Sequence, residues 1–426
     1  MFELKHLSSR RVLPALIVTV AIVATGCGGA NRKPEGAGAK PDSEAATRET
    51  AASPSNSGPA QVKAGSPVWI DTLQMVSATA GWAVVWPSNP NHSGALAVAR
   101  TANGGRTWTV VTPRTAVSGL ATGQALLEAA SAERAWFAVP TSTSGPPAKT
   151  LVFGTTDGGR SWRQSAGIPD GFDPVALDFV SPSRGWLLES LGAAMQQNPV
   201  RLYRSTDGGV RWSLVASSPR MAGDPPTSSG LPLYCDKDGL AFASARTGWI
   251  TGYCNSLSVL VTRDGGERWA TQPLPLSATL CESAGCEIPA PQSAGGTTFL
   301  EVTDYPAAAY LLASRDAGRS WQVESLPAGA GPYPRIRFFS ADDGIAISAG
   351  PQGSIGRDFY VTGDGGLSWT AVAQGEHFGP DGATFCFVST RVGFAWLAGS
   401  AATGGAPVYR TDDSGRRWVS FTPRLN

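Results

Sequence analysis

STDGGVRW (Ser205–Trp212) is turn chemistry closed by one tryptophan, and the chain spells close variants of it seven times. The other copies are TANGGRTW (Thr101–Trp108), TTDGGRSW (Thr155–Trp162), TRDGGERW (Thr262–Trp269), SRDAGRSW (Ser314–Trp321), TGDGGLSW (Thr362–Trp369) and TDDSGRRW (Thr411–Trp418). All fit Ser/Thr-x-Asp-x-Gly-x-x-Trp, with Asn103 replacing Asp in the first. The closing tryptophans lie 54, 50, 57, 52, 48 and 49 residues apart. That period suits one four-stranded antiparallel unit and not a helical hairpin.

Each position has a physical task in a tight hairpin. The third residue (Asn103, Asp157, Asp207, Asp264, Asp316, Asp364, Asp413) can accept hydrogen bonds from backbone N–H groups of the turn. Gly at the fifth takes positive φ without steric cost, and the Ser/Thr hydroxyl ties the incoming strand to the same turn. The tryptophan (Trp108, Trp162, Trp212, Trp269, Trp321, Trp369, Trp418) starts the outgoing strand and fills the gap to a neighbouring unit. The motif is therefore expected to be structural in every copy.

A second element recurs upstream: Phe/Val-Ser-x-x-x-Gly-Trp, as in MVSATAGWAVV (Met75–Val85), FVSPSRGWLLE (Phe179–Glu189) and FASARTGWITG (Phe242–Gly252). Weaker versions are SAERAWFAV (Ser131–Val139), FSADDGIAIS (Phe339–Ser348) and FVSTRVGFAWL (Phe387–Leu397). In the first three units its tryptophan precedes the octapeptide tryptophan by 26 residues. Each unit then reads as strand, turn, Gly-Trp strand, loop, strand, octapeptide, strand, which is one propeller blade.

The octapeptide is similar to the Asp box, or bacterial neuraminidase repeat, of sialidases, sortilin-type receptors, some β-glucanases and photosystem II assembly factors, all β-propellers. Together with the Gly-Trp element, residues 68–424 resemble the photosystem II stability/assembly factor-like propellers. The resemblance implies an all-β, seven-bladed propeller of four-stranded antiparallel blades, and in its photosynthetic members a chaperone of membrane-complex assembly. The expected blades are 68–113, 121–167, 174–218, 233–275, 290–326, 332–374 and 380–424. Blade five departs from the pattern, since GTTFLEVTDYPAAAYLLA carries no Gly-Trp. Blade seven holds four strands of its own, so the sequence does not say how the ring closes.

Composition agrees with strands. Of 426 residues 51 are Gly and 32 Pro, and only 16% are charged. No long helical period competes with the short apolar runs and their turn punctuation. A formal charge of +1 argues against nucleic acid held by bulk electrostatics.

Residues 1–26 read as a lipoprotein signal peptide: a basic start with Lys5, Arg10 and Arg11, the apolar run Val12–Ala24, and small residues before Cys27. Cys27 is the expected lipidation site. Residues 27–66 lack aromatics and read as a disordered tether, with an end-to-end distance of roughly 35 Å; residues 67–426 are the propeller. This places the domain on the extracytoplasmic side of a bacterial membrane. Cys235 and Cys254 flank a predicted hairpin, Cys281 and Cys286 share one loop, and both pairs suit disulfides in an oxidising compartment. Cys386, in TFCFVS, reads as a buried small hydrophobe. The linker Pro273–Gly296 is long and proline-rich, and is expected to project from one face.

No metal or cofactor is indicated: the chain after Cys27 holds two histidines, His92 and His377, and no CxxC. An enzyme reading would need a carboxylate pair outside the octapeptides, for which Glu128, Asp170, Asp173, Glu189, Asp304 and Glu376 are candidates. The sialidase Arg-Ile-Pro element is absent; YPRIRFF (Tyr333–Phe339) has Arg after Ile. The favoured expectation is a monomeric, non-catalytic scaffold for a protein partner or cell-envelope polymer. A glycan-binding or glycan-hydrolysing propeller is the alternative, with Trp86 and Tyr305 as the aromatics to inspect.

Overall fold

The computed structural model describes residues 63–86, 97–113, 125–141, 149–169, 173–192, 197–254, 256–277, 280–281, 285–304, 308–349, 355–375, 383–397 and 406–426. The signal-peptide and lipidation assignments, most of the tether, and Asp170, Glu376, His92, His377 and Tyr305 lie outside them. The described strands form seven separate sheets. In each the chain meanders outward, strand beside strand, with the blade's own strands antiparallel. First strands of neighbouring sheets pack on one another around a common axis. The molecule is a seven-bladed β-propeller.

Blade three shows the plan: Asp173–Phe179 innermost, then Gly185–Ser190, Val200–Ser205 and Ser213–Ser217. Its second strand is buried throughout. Such strands are covered on both faces, by the blades before and after, so they read as continuous apolar runs and not as alternation.

The Phe-x-Ser-x-x-x-Gly-Trp element is the joint between blades. Trp136 of blade two stacks on Phe179 of blade three at 3.9 Å between ring centres, and Trp186 of blade three stacks on Phe242 of blade four at 3.6 Å. The octapeptide tryptophan of the receiving blade then meets the same phenylalanine edge-on, Trp212 at 5.9 Å and Trp269 at 6.3 Å. Such contacts contribute about 0.5–1.5 kcal/mol each beyond buried area. The glycine is needed for room: a Cβ on Gly185 would lie 2.5 Å from the Phe179 ring, and one on Gly248 2.5 Å from Phe242. Blade two confirms the logic by exception. Its Ala129 stands where the phenylalanine would be, and the facing residue is Ala135 instead of Gly.

Two features depart from expectation. Blade five keeps the joint without a Gly-Trp, because Phe299 stacks on Phe338 of blade six at 3.5 Å. It also starts well before residue 290. Tyr253–Cys254, leaving blade four, pairs with Cys286–Glu287, which pairs with Thr297–Asp304. The Pro273–Gly296 linker therefore does not project as a whole: Leu274, Cys281, Cys286 and Ile288 are buried against blade five. The apolar side chains in the linker have somewhere to go, and the sheet edge gains a partner.

Ring closure is made by the last residues. Arg424–Leu425 adds to blade one as a fifth strand, parallel to Thr107–Val110. It is pinned on its other side by Gly65 N–H donating to Leu425 O and Leu425 N–H donating to Ser66 O, both at 2.9 Å. The last residues thus join the blade-one sheet, and the segment leading into its first strand covers that added edge.

Candidate functional site

The two ends of the barrel-like ring differ in construction. One end carries the octapeptides and the turns between first and second strands, and these are hooked together. The fourth octapeptide residue donates its N–H to the neighbouring turn in six blades, as in Gly104 to Thr79 O at 2.7 Å and Gly208 to Ser183 O at 2.8 Å. Within the octapeptide the first hydroxyl donates to the carboxylate, Ser205 to Asp207 at 3.0 Å, and accepts from the fifth-residue N–H, Gly209 at 2.9 Å. The carboxylate accepts from the seventh-residue N–H, Arg211 at 2.9 Å.

Asn103 works because its carbonyl oxygen accepts the Thr107 N–H at 2.9 Å while its amide donates to the Thr107 hydroxyl. Where the seventh residue is serine, its hydroxyl adds a bond to the carboxylate. The Ser161 hydroxyl and N–H hold Asp157 down at about 2, and Ser368 does the same for Asp364. These carboxylates are fully committed to their turns. Cross-blade pins complete the face: Arg100 with Glu133 at 2.9 Å, Arg204 with Glu267 at 3.2 Å, and Arg410 to Ala78 O at 2.8 Å.

The channel wall is closed by a device the sequence reading missed. Polar side chains on the inner strands reach the exposed edge of the next blade's inner strand. The Gln74 side chain donates to Leu127 O at 2.6 Å and accepts from Ala129 N–H at 2.8 Å. Glu128 accepts from Phe179 N–H at 2.9 Å, Asp178 from Phe242 N–H at 2.6 Å, and Gln292 bridges Ile336 O and Phe338 N–H. Cys386 is buried as expected, 1% exposed, but it is disulfide-bonded and not a free small hydrophobe, and its sulfur accepts from Met75 N–H at 3.3 Å across the closing joint. Each satisfies backbone groups that an unpaired inner edge would otherwise leave open.

The opposite end, where strands two and three and successive blades are linked, is built otherwise. Between blades three, four and five it is braced by Cys235–Cys254 and Cys281–Cys286, both formed as the spacing suggested. Cys254 and Cys286 face each other in one ladder, so the two bridges act on a common platform. Lys237, 1% exposed, has its Nζ within hydrogen-bond distance of four carbonyls, which share its three N–H groups: Asn198 at 2.9 Å, Leu233 at 3.2 Å, Tyr234 at 3.0 Å and Cys235 at 2.9 Å. Burial lowers this ammonium to about 8, against the pull of Asp236. Tyr234 (59% exposed) and Met221 (63%) stand outward from the same linker.

Acidic side chains gather where blades four and five meet, around Glu287. Asp238 touches solvent but is ringed by protein; burial and then Glu287 push it up to about 6. Glu301 is pushed up to about 8, chiefly by burial, with Arg335 opposing and Glu287 adding to the rise.

Among the carboxylates weighed for catalysis, Glu128 is a clamp and Asp304 accepts the Cys281 N–H at 3.2 Å. Glu189 is sealed from solvent, raised to about 7 by burial with Asp173 nearby contributing. Asp173 itself is half-buried and raised by desolvation. Of the candidates among the described residues, only this last pair comes together, and Glu189 is sealed from solvent. Trp86 is 2% exposed and packs in the core, so it is no platform.

No protein-family model and no curated protein matches the chain. Among solved structures it is similar to a prolyl endopeptidase, at 12% identity over 84% of this chain and 50% of that one, with a TM-score of 0.52. It is similar to the GH74 xyloglucanase of Xanthomonas campestris, at 16% identity over 85% and 55% of the two chains and a TM-score of 0.50. YCF48 from Cyanidioschyzon merolae is a further structural neighbour, at 15% identity over 84% and 97% and a TM-score of 0.45. At such identities the likeness is one of fold.

Proposed function

We propose that this chain is a membrane-anchored extracytoplasmic scaffold, non-catalytic, that binds a protein partner in complex assembly through the end opposite the octapeptides. A lipid on Cys27 holds it, and residues 27–66 give the propeller its reach from the surface. The observation that carries the reading is the platform between blades three, four and five. It is the one described region where disulfides, a caged lysine and an extra strand pair stiffen linkers that also expose Tyr234 and Met221. Pre-stiffened loops with exposed aromatic and methionine side chains are what protein recognition uses, since little ordering entropy is then lost on binding. The described carboxylates support binding over hydrolysis, because Glu128 and Asp304 are occupied structurally and Glu189 is buried.

The test is in-cell crosslinking with mass spectrometry on the full chain, beside Cys27→Ser and Tyr234→Ala. A small set of exported or membrane proteins, lost in Cys27→Ser and weakened by Tyr234→Ala, is the expected result. Capture of wall polymer alone, or release of reducing sugar from envelope glycans by the purified protein, would overturn it for the carbohydrate-directed alternative.

A further inference from the structure

The inner edge of blade five is interrupted. Thr297–Asp304 pairs with Gln292–Ala294 at one end and with Cys286–Glu287 at the other. The residues between, Ile288 to Pro291, include two prolines and make no ladder with Leu300–Val302. The gap opens a small pocket of about 30 Å³, partly open to solvent. Most of its lining side chains are apolar, Phe299, Leu311, Ile336 and Phe338 among them, polar atoms make up rather more than half of the surface it presents, and the one ionisable residue lining it is Glu301. Glu301 lies two residues from Phe299 and so on the same face of the strand, toward blade six. The other polar liner, Gln292, is spent on Ile336 and Phe338. No hydrogen bond or ion pair reaches the Glu301 carboxylate among the described residues.

A partly buried carboxylate that accepts no hydrogen bond costs stability, a cost Arg335 offsets only in part and Glu287 increases. A pocket whose side chains are mostly apolar and whose one ionisable group is a carboxylate is complementary to an alkyl stem ending in a cation. We propose that the blade-five pocket takes the tip of a lysine side chain from the partner protein, with Glu301 as its counter-charge. The inference rests on the scaffold reading and names the chemistry of the partner's anchor. An ammonium suits the space better than a planar guanidinium, since one compact group on a flexible stem can enter a narrow pocket.

Binding and protonation are then linked. Near neutral pH Glu301 is largely protonated, because burial and Glu287 oppose its charge more than Arg335 favours it. An entering ammonium ionises it, so one proton leaves for each cation bound. Affinity rises with pH while the pocket carboxylate is still protonated, by roughly tenfold per unit up to its folded pKa.

The experiment is ligand-observed saturation-transfer NMR on the full chain with pentylammonium, and pentanol as the uncharged probe. Expected are transfer to pentylammonium several-fold above pentanol, growth of that preference between pH 6 and 8, and its loss in Glu301→Gln. Calorimetry of the unaltered protein in two buffers of different ionisation heat should give close to one proton released per ammonium at pH 7, which keeps the test open should Glu301→Gln fold poorly. Equal transfer to the two probes, unchanged preference in Glu301→Gln, or no proton release would overturn the proposal, the last showing that Arg335 already neutralises the site. Neither probe depends on the partner, so failure here leaves the scaffold reading standing. Failed capture in cells leaves the pocket result standing.

Discussion

The two ends of the ring are made from the same strands yet solve different problems. At the octapeptide end the links are short and nearly uniform: 76–80, 130–134, 180–184, 243–247, 339–343 and 388–392 join first and second strands in six blades. Each is hooked to an octapeptide whose polar atoms are consumed internally. At the opposite end the links are unequal, from 305–307 to 218–238, and one region is reinforced by devices found nowhere in the repeat. Uniform closure leaves the first end little to offer a ligand. Unequal links on a rigid ring are where specificity is placed. If the comparison is right, damage at the octapeptide end should cost stability alone. Damage to the platform should cost stability and partner capture together.

The largest effect should come from Lys237→Met. It takes the cation from four carbonyls, of which Asn198 O is buried and Leu233 O keeps the Asn198 N–H, and each acceptor left buried without a hydrogen bond costs about 1–3 kcal/mol. Urea unfolding should register that loss, and crosslinked partner yield should fall with it. Full partner capture by a folded Lys237→Met protein would break the comparison, because the platform would then be dispensable.

Glu189 provides a pH-dependent test away from the platform. Its folded pKa, about 7, is above the ordinary 4.5, because burial outweighs Thr150 and Arg201, which favour the charge, with Asp173 opposing it. The folded state therefore holds a proton that the unfolded chain has released. The resulting destabilisation is absent near pH 4, grows as pH rises through 4.5 to 7, and is then constant. The penalty above pH 7 is on the order of 3 kcal/mol. Glu189→Gln should be more stable than the parent at pH 8 and equal to it near pH 4, measured by denaturation midpoint across that range. An equal advantage at both pH values would show that repacking, and not charge burial, explains it.

Gly185→Ala tests the joint itself. The added methyl meets the Phe179 ring, and overpacking of this kind costs about 1–3 kcal/mol. Pairing it with Phe179→Ala should return part of the loss relative to additivity, since Ala129 and Ala135 already coexist at the same place in blade two. A double-mutant cycle with no coupling would mean the glycine is required for another reason.

How legible all this was in the chain depended on whether a residue's task is local. The octapeptide could be read position by position because Thr155, Asp157, Gly159 and Ser161 act on one another within a single turn. The disulfides were legible because Cys235 and Cys254 bracket one hairpin and Cys281 and Cys286 one loop. Lys237 was not: flanked by Asp236 and Asp238 it reads as a solvated charge, and its four acceptors come from two linkers. The clamps Gln74, Glu128, Asp178 and Gln292 were missed because their partners lie about fifty residues on, in another blade. The closing strand was missed because Arg424–Leu425 is too short to carry any pattern. Blade five was misread where Pro289 and Pro291 interrupt the repeat, which is where the structure opens its pocket.

The smallest effect separates the fourth octapeptide position from the fifth. In five copies the fourth residue is glycine with positive φ, 73° at Gly104 and 79° at Gly208 for example, while Ala317 and Ser414 hold φ of 60° and 67° at the same place. A left-handed alanine costs about 1–2 kcal/mol, and a glycine there returns some of that gain as unfolded-state entropy. Ala317→Gly should therefore stabilise the propeller by about 1 kcal/mol, read as a higher urea midpoint with unchanged denaturant slope. Because the octapeptide end makes no contact with the proposed partner, capture in cells should not change. A stabilised Ala317→Gly protein with altered capture would give that end a binding role and reverse the comparison between the two faces.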